Sequence, residues 1–132
     1  MTVVLDASVL VSALIDPGPV GRWAEGVVTS GALAAPQHLQ VETANVLRRA
    51  VLAGDVSPDV GALAHRDLVA LRVELFPYTA YAERVWELRS SMTAYDAGYV
   101  ALAELLDVEL ATLDRKLSRA PGAGCTFLVP PR

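Results

Sequence analysis

Thr2-Val3-Val4-Leu5-Asp6 runs straight into Ala7-Ser8-Val9-Leu10-Val11-Ser12-Ala13-Leu14-Ile15. The first segment is short, aliphatic and β-branched, and it stops at an acid, which reads as a buried strand over Thr2–Asp6. The second is apolar over more than two helical turns and ends at Asp16-Pro17-Gly18-Pro19, a strong turn signal, so a helix is expected over Ala7–Ile15. A buried strand feeding a helix without a hairpin turn is the opening of an α/β unit.

The same alternation continues along the chain. A helix is expected from about Val20 to Val28, a short strand over Ala32–Ala35, and a helix over Gln37–Ala53 ended by Gly54-Asp55. Ser57-Pro58 supplies an N-cap and a first-turn proline for a helix reaching about Leu71. Val73–Phe76 reads as a strand, Thr79–Met92 and Thr93–Leu106 as helices, Glu109–Leu113 as a strand, Arg119–Gly124 as a loop and Thr126–Val129 as a last strand. Helices between strands require parallel pairing, so the expectation is a three-layer α/β/α sandwich around a short parallel sheet, one domain over residues 1–132.

Composition bounds the function classes. The 132 residues are 53% hydrophobic and 20% charged, a compact profile outside the disordered regime. A single Cys125 cannot bridge internally, which favours a reducing compartment, and it reads as a small buried hydrophobe near the last strand. Asp6 interrupts the first apolar run too early for a signal peptide, and no uncharged run approaches the ~20 residues of a bilayer span, so a cytoplasmic protein is expected. Net charge is −4, from 15 acids and 11 bases, ten of them Arg. Setting aside four acids as cation ligands leaves 11 against 11, so the acidic balance weighs little against a nucleic-acid substrate.

Those four acids are Asp6, Glu42, Asp96 and Asp114. Asp6 and Asp114 close apolar strands, so in a parallel sheet both emerge at the C-terminal edge, where open α/β sheets place ligands. Asp96 begins the helix before the second of those strands, and Glu42 lies at the start of another. Each has a structural alternative. Asp6 or Ser8 can cap the first helix, Thr93 and Asp96 resemble a capping box, Asp114 can cap the turn after it, and Glu42 can be a solvated charge. Gathered together they repel, and Mg²⁺ or Mn²⁺ relieves that repulsion through hard oxygen ligands. His38 and His65 have no partner at ligand spacing and read as surface or helix-edge residues. No Ser-His-Asp or Cys-His arrangement and no glycine-rich phosphate loop is present. Trp23 and Trp86 read as core or interface residues.

Four segments together resemble the PIN domain, and within it the VapC-type ribonuclease toxins of prokaryotic toxin–antitoxin pairs. They are Leu5-Asp6-Ala7-Ser8-Val9-Leu10-Val11, Glu42-Thr43-Ala44-Asn45-Val46-Leu47-Arg48-Arg49, Tyr95-Asp96-Ala97-Gly98-Tyr99-Val100-Ala101-Leu102-Ala103 and Ala111-Thr112-Leu113-Asp114. Their order and spacing cover nearly the whole chain. The resemblance implies an acid quartet of Asp6, Glu42, Asp96 and Asp114 holding one or two Mg²⁺ or Mn²⁺ ions, with Ser8 and Thr112 orienting the carboxylates. It implies an endoribonuclease that leaves 5′-phosphate and 3′-hydroxyl ends on structured RNA such as tRNA or rRNA. It further implies a homodimer, inhibited by a small VapB-type antitoxin.

Some relatives carry another acid two residues past the last aspartate, where this chain has Lys116, so one metal or two stays open. Arg115 and Lys116 are candidates to hold the RNA backbone, with a solvated basic face as the alternative. Asn45 and Arg49 share a helical face with Glu42, and Asn45 can reach an acid or a metal-bound water or simply pack. Two other readings compete with a nuclease: a PIN-like module kept for binding, and a phosphoacceptor receiver domain. The receiver needs an acidic pair after the first strand, and Asp6 stands alone there. A haloacid-dehalogenase-like phosphatase needs Asp where Ser8 stands.

Overall fold

The computed structural model describes all 132 residues. Five parallel strands form one sheet in the order β3-β2-β1-β4-β5: β1 (Thr2–Leu5), β2 (Ala32–Pro36), β3 (Glu74–Phe76), β4 (Glu109–Ala111) and β5 (Phe127–Leu128). Six α-helices connect them: α1 (Ala7–Ile15), α2 (Pro19–Val28), α3 (Leu39–Leu52), α4 (Pro58–Ala70), α5 (Ala82–Glu87) and α6 (Ala94–Leu106). The sandwich expected from the alternation of elements is the one observed. No helix is long and apolar enough to cross a membrane.

β1 is the centre of the sheet. Val3, Val4 and Leu5 are each at most 2% exposed, as a strand covered on both faces requires. From β1 the chain steps outward twice, through α1 and α2 to β2 and through α3 and α4 to β3. It then returns through α5 and α6 to β4, on the other side of β1. With right-handed crossovers the first four helices share one face and the last two the other. The packing agrees: α1 lies on α2, α3 and α4, and α5 lies on α6. The direction of winding therefore reverses between β1 and β4, and that crevice is where such sheets hold ligands. A receiver domain has the order 2-1-3-4-5, which this sheet does not share.

One expected helix is corrected. Thr79–Met92 is not continuous: a 3-10 turn over Tyr78–Ala80 and the short α5 are separated by Tyr81, with φ of −138°. Tyr81 is 4% exposed and its hydroxyl donates to the Phe76 carbonyl at 3.3 Å, so burying that ring draws the backbone out of the helical region. Trp23 packs partly buried against the core, whereas Trp86 is 66% exposed, with the Arg89 guanidinium 4.8 Å from its ring centre. Cys125 is half-buried against the core, and burial pushes its thiol up to about 11.

The α1–α2 corner depends on Gly21. A β-carbon added there would stand 1.8 Å from the backbone carbonyl oxygen of Asp16, which ends α1. Alanine gains about 1 kcal/mol over glycine inside a helix, but overpacking of this kind costs roughly 1–3 kcal/mol. Gly21→Ala is therefore expected to lower the urea midpoint, and an unchanged or raised midpoint would contradict the close packing of α1 on α2.

Candidate active site

Each of the four acids is carried by an element that starts or ends at the C-terminal edge of the sheet. Asp6 follows β1 and precedes α1, Glu42 sits in the first turn of α3, Asp96 in the first turn of α6, and Asp114 just beyond β4. Helix N-termini present free N–H groups and positive partial charge, so carboxylates are better tolerated there than elsewhere in a buried crevice.

Asp6 is the most deeply set, at 6% exposed. It occupies the N-cap position of α1 but makes no capping hydrogen bond. Its Oδ2 instead accepts two hydroxyls, Thr112 Oγ1 at 2.6 Å and Ser8 Oγ at 2.9 Å. Both hydroxyls are themselves oriented by backbone amides. The Leu113 N–H donates to Ser8 Oγ at 3.1 Å, and the Asp114 N–H donates to Thr112 Oγ1 at 3.0 Å. Each hydroxyl has one donor pointing at it and one proton to give, and Asp6 takes both protons on one oxygen. Oδ1 is left without a side-chain donor.

The remaining acids are held differently. Glu42 Oε1 accepts from the Tyr99 hydroxyl at 3.1 Å, and Tyr99 is fully buried. Asp96 is half-buried, and its backbone N–H, not its carboxylate, closes the cap with Thr93 Oγ1 at 3.2 Å. Asp114 is exposed and caps the following turn: its Oδ1 accepts from the N–H groups of Lys116 at 2.9 Å and Leu117 at 3.1 Å.

Charge ties these positions together. Burial pushes the Asp6 carboxyl above its usual range, against the Thr112 and Ser8 hydrogen bonds and the field of the Ala7 and Ser8 amides. Glu42 is raised by burial and then by the charges of Asp6 and Asp96. Asp96 is raised by burial and then by Asp6 and Asp114. None of the four meets a cationic side chain; the ion pairs join Arg66 to Asp67 and Arg84 to Glu87 and Glu104. An uncompensated set of hard oxygen donors is what a small divalent cation suits. No three His, Cys, Asp or Glu side chains are grouped so as to hold an ion in the conformation described.

His38, read from the sequence as a surface or helix-edge residue, stands at a helix edge as the N-cap of α3. Its ring is half-buried and edge-on to both Tyr95 and Tyr99, with centroids 5.8 and 5.0 Å away, and Nε2 lies 3.2 Å from the Tyr95 carbonyl oxygen. Burial holds its pKa below the usual value although Asp6 pulls the other way. The approach is possible because residue 98 is glycine; a β-carbon there would meet His38 Cε1 at 2.7 Å. Spacing is the signal that points to it, since His38 precedes Glu42 by one helical turn and Tyr95 precedes Tyr99 by another. The same spacing marks Tyr99, the partner of Glu42, which carries no role in the sequence beyond its motif.

Asn45 is exposed and bonds none of the acids; it lines a groove with His38, Val41, Glu42, Arg49 and Tyr95. The Arg115 guanidinium donates to the Pro130 carbonyl oxygen and so fastens the C-terminal segment. Lys116 is exposed, in a cleft it shares with Asp96 and Asp114.

The family model for the PIN domain matches residues 3–123. The chain is 38% identical to the ribonuclease VapC1 of Mycobacterium tuberculosis over 123 residues, 92% of each chain. Its fold is similar to that of VapC20 of Mycobacterium tuberculosis, a sarcin–ricin loop cleaving toxin, with a TM-score of 0.72 at 18% identity, covering 97% of this chain and 99% of that one. It is similar also to VapBC2 of Rickettsia felis bound to a promoter DNA fragment, with a TM-score of 0.65 at 16% identity, covering 98% of each chain.

The raised carboxyls have a thermodynamic consequence. The folded protein holds these protons more tightly than the unfolded chain. Their contribution to stability is therefore greatest toward the ordinary carboxylate range and is lost as pH rises through the folded-state values. Asp6→Asn removes one buried charge while keeping an oxygen for the two hydroxyls. In EDTA at pH 7 it is expected to raise the melting temperature by about 4 °C, the size of a roughly 1 kcal/mol change in a domain of this length. The gain should shrink as pH falls. A lower melting temperature for Asp6→Asn at pH 7 would refute the account of an uncompensated charge.

Proposed function

The chain belongs to the PIN-domain family, among the VapC ribonuclease toxins, and on that premise we propose that it is a metal-dependent endoribonuclease whose working groups are Asp6, Glu42, Asp96 and Asp114. The observation that carries the proposal is the Asp6 carboxylate: buried, matched by no cation, and fixed through one oxygen so that the other is free. The four carboxylates would hold Mg²⁺ or Mn²⁺, one ion or two. When bound, such ions activate a water and offset the charge on the leaving oxygen of a phosphodiester. Hydrolysis of that kind leaves 5′-phosphate and 3′-hydroxyl ends.

The protein's own side chains then have separable tasks. Ser8 and Thr112 keep Asp6 in one rotamer, and Tyr99 does the same for Glu42. Asp114 has one oxygen committed to the backbone of the next turn, which leaves its other oxygen for the cluster. Leu5, Ala97 and Ala111, each next in the chain to Asp6, Asp96 or Thr112, are fully buried, so the acids rise from an apolar base. Structured RNA such as tRNA or rRNA is the proposed substrate, and a cytoplasmic location goes with it.

A protein partner is part of the same proposal. Val41, Leu52, Leu63 and Val69, on α3 and α4, are each at least half exposed, and an apolar groove runs between these helices beside Leu47, Val51 and Gly61. Patches of this kind favour a binding surface. We assign it to a VapB-type antitoxin, with the toxin itself a homodimer.

Purified protein incubated with total RNA is expected to give discrete fragments with Mg²⁺ or Mn²⁺ and none in EDTA. Asp96→Asn should remove that cleavage while the protein stays folded, and cleavage that persists in the mutant would sink the assignment. Thr112→Val, which frees Asp6 from its shorter hydrogen bond, should lower metal affinity or activity by roughly 10–100-fold. Millimolar Mn²⁺ should also raise the melting temperature of the wild type, by about 2.7 kcal/mol of added stability at a hundred times the dissociation constant, and leave Asp6→Asn nearly unmoved. Equal shifts in both proteins would place the ion elsewhere.

A further inference from the structure

A cleft of about 520 Å³ opens beside the acid cluster, and its walls carry opposite charges. Asp96 and Asp114 line it together with Lys116 and Arg119. We infer that Lys116 and Arg119 form a two-point grip for RNA backbone phosphates next to the bond that is cut. The inference rests on the nuclease reading above and names how that site holds its substrate.

The turn that carries the two bases is built to hold them still. Residues Leu117–Arg119 form a 3-10 turn, and the Arg119 N–H donates to the Lys116 carbonyl at 3.2 Å. In that geometry residues three apart eclipse, so the two side chains rise from one face. Leu117 between them is 5% exposed and anchored in the core. Asp114 Oδ1 takes the N–H groups of Lys116 and Leu117, and Ser118 Oγ donates to the Arg115 carbonyl at 2.6 Å. The acid at the end of the sheet is thus hydrogen-bonded to the backbone that presents the bases, which fixes the spacing between the two functions.

Both cations are free to act. Lys116 and Arg119 are exposed and neither forms an ion pair, although two carboxylates line the same cleft. Arg115, between Asp114 and Lys116, is the one base of this segment with its guanidinium already engaged, on Pro130. Arg119 therefore takes the place that adjacency in sequence gave to Arg115. An Arg offers paired donors to one phosphate and a Lys a compact charge to another. Ordering them before RNA arrives reduces the entropic cost of gripping it.

The test uses the full-length chain carrying Asp6→Asn, which binds without cutting, with bulk tRNA as probe in EDTA and salt from about 50 to 200 mM. Adding Lys116→Gln and Arg119→Gln is expected to weaken binding on the order of tenfold and to flatten the slope of log affinity against log salt by about 1–2, the change expected when two phosphates are no longer neutralised. Lys116→Arg should keep the slope. In the cleaving background the same pair should raise KM with kcat and melting temperature retained, a split that a merely structural role would not give. An unchanged slope, an equal loss from the remote Arg66→Gln, or no tRNA binding by the Asp6→Asn parent at the lowest salt would each overturn the grip. Its failure is distinguishable from failure of the nuclease reading, because wild-type cleavage and its loss in Asp96→Asn do not depend on Lys116 or Arg119.

Discussion

Everything at the C-terminal edge of the sheet is arranged around one carboxylate in the wrong dielectric. Asp6 ends the central strand at 6% exposure, at the crevice where the winding reverses. A lone ionised carboxylate in such a place is costly, and hydrogen bonds from neutral hydroxyls recover only part of that cost. The sequence supplies two of them, from Ser8 on α1 and Thr112 after β4, each oriented by a backbone amide of the β4 exit. Strand β4 is thereby locked to β1 beyond the sheet ladder, whose last rung joins the Asp6 N–H to the Ala111 carbonyl at 3.1 Å. The same bonds that lessen the burial of charge also set the register of the site.

The other acids are placed by topology and then burdened by it. α3 starts at this edge because it follows β2, and α6 because it runs back against the strand direction to feed β4, and Glu42 and Asp96 lie in their first turns. The helix termini favour negative charge, but burial raises Asp6, Glu42 and Asp96 above the usual carboxylate range, and the Asp6 charge adds to the rise at Glu42 and Asp96. A fold selected for stability alone would place an arginine among them, and the chain has ten. Leaving the cluster unpaired, while Arg84 clamps Glu104 and the Gly122 carbonyl on the far side of α6, is the mark of a functional arrangement.

How much of this was legible in the sequence follows from the range of the forces involved. Element type is set locally by periodicity and punctuation, so α1 is read from Ala7 to Ile15 to the residue, and even the weak strand at Ala32 is found. The edge position of Asp6 and Asp114 follows from parallel pairing alone. The break at Tyr81 was not legible, because it accompanies burial of the ring with its hydroxyl on the Phe76 carbonyl and not any local breaker. His38 escapes a local reading for a similar reason: its partners Tyr95 and Tyr99 lie on a distant helix and reach it only through the close approach at Gly98. Ser8 and Thr112 came from family resemblance. The geometry fits hydroxyls there, since each accepts from a backbone amide and still donates its own proton to Asp6.

Arg115, Lys116 and Arg119 show the same boundary at a finer scale. Three bases lie close together in the chain, and charge alone does not distinguish them. The 3-10 turn does, because it sends residues 116 and 119 to the cleft and residue 115 to the carbonyl of Pro130. That turn exists because Asp114 caps it, so the structural role of Asp114 and its place in the acid cluster are not alternatives. One carboxylate oxygen holds the turn that carries the bases and the other does not, so on the proposed function a single side chain would couple the spacing of phosphate and cation. A lysine two residues past the last strand acid, read alone, is the loss of a metal ligand; read with the turn that carries it, it is the proposed exchange of a cation site for a phosphate grip in the cleft that Asp114 also lines.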